Sequence, residues 1–366
     1  MQRLDFFPSR TLTFYLARLF AVRIVAVLVM LVLVLQTLDL LSESGAILEY
    51  PGNGEAQLWH YVTLRIPQLV ARFLPYSVLL ATIITLATLN QNSEVIAMKA
   101  SGLSAHQILA PLLLTALVAS LVSLVFNESV VTRATAELST WERADYGPLP
   151  KEKAVRTSVY FRDGENVLTA ARLFGTGAAM TMEGVTWYRR DANGLIVEEV
   201  RSPKATFANP GWRLAKPERF DVQSAIASPA QPFVVGKDLD PAEIEMSRVD
   251  ADEEDIFTLR NSIAAMAAAG HQTRELRGQW WHKLTGPMSA FLMPLLGAIA
   301  AFGLARSGQL FLRAVIGMAL GFAFFVVDNA ALAMGNFGAY PPFLAASAPF
   351  FLFLLLGETV LIRTEE

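Results

Sequence analysis

Three long runs of nearly unbroken apolar residues, at 20–41, 66–89 and 106–127, are followed by a stretch without one, and then by three more runs at 283–304, 311–333 and 341–362. A helix crossing ~30 Å of hydrocarbon needs about 20 apolar residues. The pattern therefore predicts an α-helical polytopic membrane protein with six transmembrane helices and one polar insert. Charge placement gives the same division. Residues 130–282 hold 19 of the 30 Lys and Arg and 22 of the 33 Asp and Glu, while the other 213 residues share 22 charges. The formal net charge of −3 averages two unlike materials. The expected domains are 1–129 with the first three spans, 130–272 as the insert with a short helix, and 273–366 with the last three spans.

The first run is too long for a cleavable signal and has no small-residue exit, so it reads as an uncleaved membrane helix. Before it, FFPSRTLTFYLARL (6–19) is either an amphipathic helix along the interface, capped by Ser9, or an early start to the first span. Pro67 and Pro75 in the second run and Pro287 and Pro294 in the fourth predict kinks. Trp280 and Trp281 stand where the fourth run meets the headgroups. Arg3, Arg10, Arg18, Arg23, Lys99, Arg306, Arg313 and Arg363 all fall on one side of the predicted spans, whereas the loop after the first span carries Glu43, Glu49 and Glu55, with Arg65 at its far end. The positive-inside rule then places both termini in the cytoplasm and the insert outside. The chain has no cysteine, which excludes disulfides and thiolate chemistry.

From Val155 the runs become short and alternating. VRTSVYFRDGENVLTAARLF reads as strand, turn, strand, and MEGVTWYRRDANGLIVEEV and ATFANPGWRLAKPERFDV repeat the form. An all-β antiparallel sandwich or roll is expected, with Val159, Phe161, Val167, Val185, Trp187, Phe207, Trp212 and Phe220 facing inward. Its interior is either an ordinary packed core or a curved sheet that holds an acyl chain. Residues 256–269 return to helical spacing, and Gly270 can end that helix.

Between the second and third runs lies NSEVIAMKASGLSAHQILAPLL (92–113). Asn92 and Ser93 are N-cap types, Glu94 suits the first turn, and Gly102 suits the stop. A helix is predicted at about 93–102. Its apolar residues Val95, Ile96 and Met98, with Leu103 just beyond, either fill a groove on a soluble partner or rest on the membrane surface.

This segment resembles the coupling helix of the LptF/LptG lipopolysaccharide export permeases. FFVVDNAALAMGNFGAYPPFLAASAPFFLFLLL (324–356) is similar to the family's fifth and sixth spans, with the G-type subunit the nearer likeness. IPQLVARFLPYSVLL (66–80) is similar to its second span. The resemblance covers essentially the whole chain. It implies a β-jellyroll in the periplasm and a multi-pass subunit of the bacterial inner membrane that pairs with an LptF-type subunit. It further implies an LptB-type ATPase dimer in the cytoplasm and transfer of lipopolysaccharide to LptC- and LptA-type jellyrolls, with no cofactor and no nucleic acid. Under it, Glu94 would contact the ATPase, with Val95, Met98 and Leu103 in its groove.

The likeness has one gap. Where the family carries cations near the outer end of the first span, LQTLDLLSESG (35–45) offers Gln36, Ser42 and Glu43. Candidate phosphate contacts are then Arg65 and Arg72, seven residues apart on one helix face, and Arg133. The alternative is that these arginines pair with Asp39, Glu128 or phospholipid headgroups. Asp39, Gly317, Gly321 and Asp328 are the gate candidates. Gly317 and Gly321 form a G-x-x-x-G that allows close helix approach. Asp328 is either part of a gate between the first and fifth spans or a structural carboxylate beside Asn329.

The four histidines, His60, His106, His271 and His282, show no metal spacing. The chain has no P-loop, so it is read as a permease subunit rather than an enzyme, with ATP hydrolysis on a separate chain. Two other classes compete: a non-transporting scaffold or sensor, and an ion-coupled carrier. The carrier expects several intramembrane acids and an inverted repeat, and one acid and no repeat are present.

Overall fold

The structure, a computed structural model, describes residues 7–147, 156–175, 177–191, 194–222, 224–237, 239–241, 244, 249–268, 270–302 and 310–365. Arg3 and Arg306 of the orientation tally lie outside them. The chain divides into a helical unit, Met1–Leu138 with Asp250–Glu366, and a second unit, Ser139–Val249. The helical unit thus takes in 130–138 and 250–272, which the sequence division assigns to the insert.

Helix α1 runs without a break over Arg10–Glu49, and Ser9 caps it by accepting from the Leu12 N–H at 3.4 Å. From Arg10 onward the stretch 6–19 is therefore the early start of the first span and not a separate interfacial helix. Helix α2 spans Glu55–Gln91 with Pro67 and Pro75 inside it. A seven-residue helix α3, Glu94–Ala100, leads to α4, Ala105–Phe126. Ser104 and Gln107 cap α4 reciprocally: Gln107 N–H donates to Ser104 Oγ at 3.2 Å, and Ser104 N–H to Gln107 Oε1 at 3.0 Å. A π-helical turn, Asn127–Val131, then passes into α5, Thr132–Arg143. After the second unit come α6 (Ile256–Ala268), α7 (Arg274–Phe302), α8 (Leu310–Asn336) and α9 (Pro342–Glu365).

Among the described residues five helical runs are long and apolar enough to cross a membrane: α1, α2, α4 with α5, α8 and α9. The expected fourth run lies in α7. Pro287 and Pro294 stand inside it, as expected. Helix α7 is the hub of the bundle, packing on α2, α4, α8 and α9. One core joins Leu16, Phe20 and Ile24 of α1 to α2, α3, α4, α7, α8 and α9. The outer surfaces stay greasy: Val25, Val29 and Leu33 on α1, Val118, Val122 and Val125 on α4, and Phe351, Leu352 and Leu355 on α9 are all exposed. A soluble bundle would turn polar groups outward, whereas a lipid-solvated one has no reason to.

In the second unit eight strands form one antiparallel sheet in the order β1-β2-β3-β4-β5-β8. They are β1 (Arg156–Asp163), β2 (Asn166–Phe174), β3 (Thr181–Arg190), β4 (Ile196–Phe207), β5 (Trp212–Ala215), β6 (Glu218–Asp221), β7 (Ile226–Pro229) and β8 (Val234–Val235). The long β4 is shared: its second half pairs with β5 and its first half with β6, which carries β7. Among the described residues the expected strands thus join one connected antiparallel sheet.

Register fixes the inner face, because directly opposed residues share a side. One inner row is Val159, Ala170, Val185 and Ser202, and the next is Phe161, Leu168, Trp187 and Val200. Trp212 is fully buried and donates its indole N–H to the Leu239 carbonyl at 2.9 Å. Phe207 and Trp187 are half-buried against the same core. Two expected inward residues are corrected. Val167 lies one position off the inner row, which Leu168 occupies. Phe220 faces out because it opposes Glu199, while the buried Val200 opposes Arg219.

Candidate coupling and lipid-contact sites

Helix α3 hangs between two spans and is fixed at both ends. Asn92 and Ser93 do not cap it as expected. Ser93 adopts a left-handed backbone (φ 58°) and makes no side-chain cap bond. At the other end Gly102 (φ +90°) closes the helix: its N–H donates to Lys99 O at 3.0 Å, and that of Leu103 to Met98 O at 3.2 Å. This is a Schellman stop, which favours glycine at that position.

The apolar side of α3 is used up by its own chain. Val95 and Met98 are buried in the bundle core, and Leu103 is half-buried against it. These three are therefore not outward knobs, because a seven-residue helix has a single apolar side and here that side covers α2 and α4. What faces away is Ile96, Ala97, Lys99 and Ala100. Glu94 is steered from α1, with Tyr15 Oη donating to its Oε2 at 3.1 Å and Asn92 Nδ2 donating to its Oε1 at 3.3 Å. The element presents one positioned carboxylate, one lysine and one exposed isoleucine.

At the far end of α1 and α2, Arg65 is committed within the chain. Its Nε and Nη2 donate to the two Asp39 oxygens at 3.0 and 2.9 Å, and its Nη1 donates to Gln68 Oε1 at 2.8 Å. Tyr61 Oη also donates to Asp39 Oδ2, at 2.6 Å. Asp39 and Arg65 thus form a forked pair that pins α1 to α2. Arg72, one heptad along, is exposed and makes no hydrogen bond or ion pair among the described residues. Next to it Tyr76 stacks on Phe325 of α8 at 4.1 Å, which sets Arg72 on α2 one turn from an α2–α8 contact. Arg133 on α5 is exposed and likewise unpaired among the described residues. Gln36, standing where a cation was expected, is buried, and neither amide atom has a partner among the described residues.

Gly321 is buried against α2, where a Cβ would lie 2.2 Å from Leu79 Cδ2. Gly317 is buried one turn before it. Asp328 is buried and faces His282 Nε2 of α7 at 3.8 Å. Asn329, expected beside it, donates instead to the Phe325 carbonyl of its own helix.

Two further arrangements escaped sequence reading. Glu128, in the π-helical turn, accepts from the Ile256 N–H at 2.6 Å and meets Lys283 Nζ at 3.5 Å, so it ties the start of α6 to α4 and α7. In the sheet, the buried Glu198 is gripped by Arg189 at 2.7 Å and by Arg219. Neither arrangement has a local motif, since the partners are distant in sequence or sit on different strands. Among the described residues no cluster of His, Asp and Glu is arranged to hold a metal.

A bundle greasy on its outside, an apolar-faced short helix returning between two spans, and an inserted antiparallel sheet together define a polytopic membrane protein of permease type. The family described as lipopolysaccharide export system permease LptF/LptG matches residues 14–363, and the chain belongs to that family. It is 25% identical to the lipopolysaccharide export system permease protein LptG of Escherichia coli K12 over 310 residues, 83% of this chain and 84% of the relative. It is 21% identical to the LptG protein of Haemophilus influenzae over 322 residues, 86% of this chain and 89% of the relative.

Proposed function

We propose that this chain is the transmembrane subunit of an ATP-driven exporter that extracts lipopolysaccharide from the bacterial inner membrane. In this reading it spans the membrane six times, α7 included, with both termini in the cytoplasm and the sheet unit in the periplasm. It pairs with an LptF-type subunit and is driven through α3 by an LptB-type ATPase dimer. Its sheet unit hands lipid to LptC- and LptA-type jellyrolls.

The observation that carries the proposal is α3 itself. Buried Val95 and Met98 make the helix rigid with the bundle, and outward Glu94, Ile96 and Lys99 offer a small charged and apolar contact. A lever must be fixed at one face and open to engagement at the other, and α3 is buried on one side and exposed on the other. Absence of a P-loop from the sequence fits ATP hydrolysis on another chain.

On the membrane side, Arg72 and Arg133 are the proposed lipid-phosphate contacts, since both guanidinium groups are unpaired among the described residues and a guanidinium fork suits phosphate. Arg65 is withdrawn from that role because Asp39 occupies it. Gly317, Gly321 and Asp328 on α8, with Asp39 on α1, remain the proposed gate.

The test is charge reversal. Glu94→Arg, with Ile96→Asp as companion, should abolish co-purification with the ATPase while the chain still inserts and melts normally. Retention of the ATPase by both variants would defeat the coupling role.

A further inference from the structure

The turn from α6 into α7 opens a cleft of about 480 Å³ lined by His271, Thr273, Arg274, Arg277 and Pro342. Two helices begin there, α7 at Arg274 and α9 at Pro342. Each brings first-turn N–H groups without helical partners and the positive end of its dipole. Arg274 and Arg277 are three apart and so share a side of α7. Both are exposed, and neither guanidinium makes a hydrogen bond or ion pair among the described residues. Glu275, the acid in the first turn of α7, is about 100° round the helix from Arg274 and does not line the cleft.

Arg274 is also placed. Its guanidinium lies over Gly338, whose left-handed backbone (φ +88°) favours glycine and whose missing side chain leaves Nη1 within 1.9 Å of where a Cβ would stand. One turn further along the same side of α7, Trp281 meets Phe343 of α9 edge to face at 4.9 Å and Trp280 at 4.8 Å. Phe337, at the turn between α8 and α9, is 91% exposed. Aromatic side chains gathered at the ends of spans mark the headgroup level of a bilayer. The two arginines sit one turn beyond that belt.

Two unpaired guanidinium forks, two helix N-termini and an aromatic girdle alongside call for an anion attached to something apolar. We propose that this cleft binds the phosphate of a membrane-lipid headgroup, held by Arg274 and Arg277, with the acyl chains running along the Trp281–Phe343 side. The site is built on α7 and α9, whereas the proposed export contact Arg72 is on α2. It depends on these helices being in a membrane and not on the export reading.

The test uses the purified full-length chain in detergent and native mass spectrometry with added phosphatidylglycerol or phosphatidylcholine. Phosphatidylglycerol should bind the wild type in preference to phosphatidylcholine. The double variant Arg274→Gln/Arg277→Gln should lose about tenfold in phosphatidylglycerol affinity, the size of a charge-assisted bond. Arg274→Lys should retain most of it, and Arg213→Gln, on the sheet surface, all of it. Should the double variant fold poorly, the exposed Arg277→Gln alone must still weaken binding several-fold. Equal phosphatidylglycerol binding by the wild type and by either the Arg274→Gln/Arg277→Gln double variant or Arg277→Gln would overturn the site. Inorganic phosphate displacing the lipid at matching concentration would overturn the lipid assignment. Neither result bears on ATPase association.

Discussion

Arg65 and Arg72 look alike in the sequence and should behave oppositely when neutralised. Arg65→Gln removes two forked bonds to Asp39 and leaves that carboxylate with Tyr61 as its remaining partner in this cluster. Breaking one side of a fully buried pair costs 3–5 kcal/mol. Here the side chains keep 29% and 22% of their exposure, so the loss should be about 2 kcal/mol. Arg72→Gln breaks no bond and should stay within about 0.5 kcal/mol. Reversible unfolding in mixed SDS and detergent micelles measures both. The Asp39→Asn/Arg65→Gln double variant should lose less than the sum of its singles, with a coupling of at least about 1 kcal/mol. Photo-crosslinking of lipopolysaccharide should then separate roles: yield falls several-fold in Arg72→Gln and holds in Arg65→Gln below its unfolding range. A coupling near zero, or lost crosslinking in Arg65→Gln with Arg72→Gln unaffected, would refute the assignment.

Gly321→Leu should cost about 1–3 kcal/mol by driving a side chain into Leu79, and Leu79→Ala in the same chain should recover most of it; an unchanged melting temperature in the single variant would contradict the close α2–α8 approach. Asp255 caps α6, accepting from the Phe257 and Thr258 N–H groups at 2.9 and 3.0 Å and from the Thr258 hydroxyl at 2.7 Å. The bonds from Thr258 hold its carboxyl below the usual range. A depressed carboxylate stabilises above its unfolded pKa, and that contribution fades as pH falls through the folded value. Asp255→Ala should therefore lower stability by about 1 kcal/mol at neutral pH, and the gap to wild type should close towards pH 3 in melts of the whole chain. A gap that persists there would mean the charge is not responsible.

The spans were readable because hydrocarbon demands long apolar runs, and the strands because the inner row alternates. Ser9 and Gly102 announced a helix start and stop by side chain and backbone freedom alone. What failed did so for identifiable reasons. The apolar side of α3 looks the same whether it meets a partner or its own bundle, so Val95 and Met98 were placed outward. Parity in β2 and β6 depends on which neighbour a strand finds, and this misplaced Val167 and Phe220. Asp39 was weighed as a partner for Arg65, but only the packing of α1 on α2 decides that over phosphate. The π-helical turn that aims Glu128 has no marker in NESVV. Arg274 and Arg277 acquire meaning only once Gly338 and Pro342, sixty residues later, come beside them.

Because the chain contains no cysteine, single cysteines introduced at Lys99 on α3 and at Leu195 in the exposed turn before β4 can be labelled cleanly. An impermeant maleimide applied to cells with a permeabilised outer membrane should modify Leu195→Cys at once and Lys99→Cys only after the inner membrane is opened. Modification of both from the same side would contradict an export subunit driven from one face and delivering at the other.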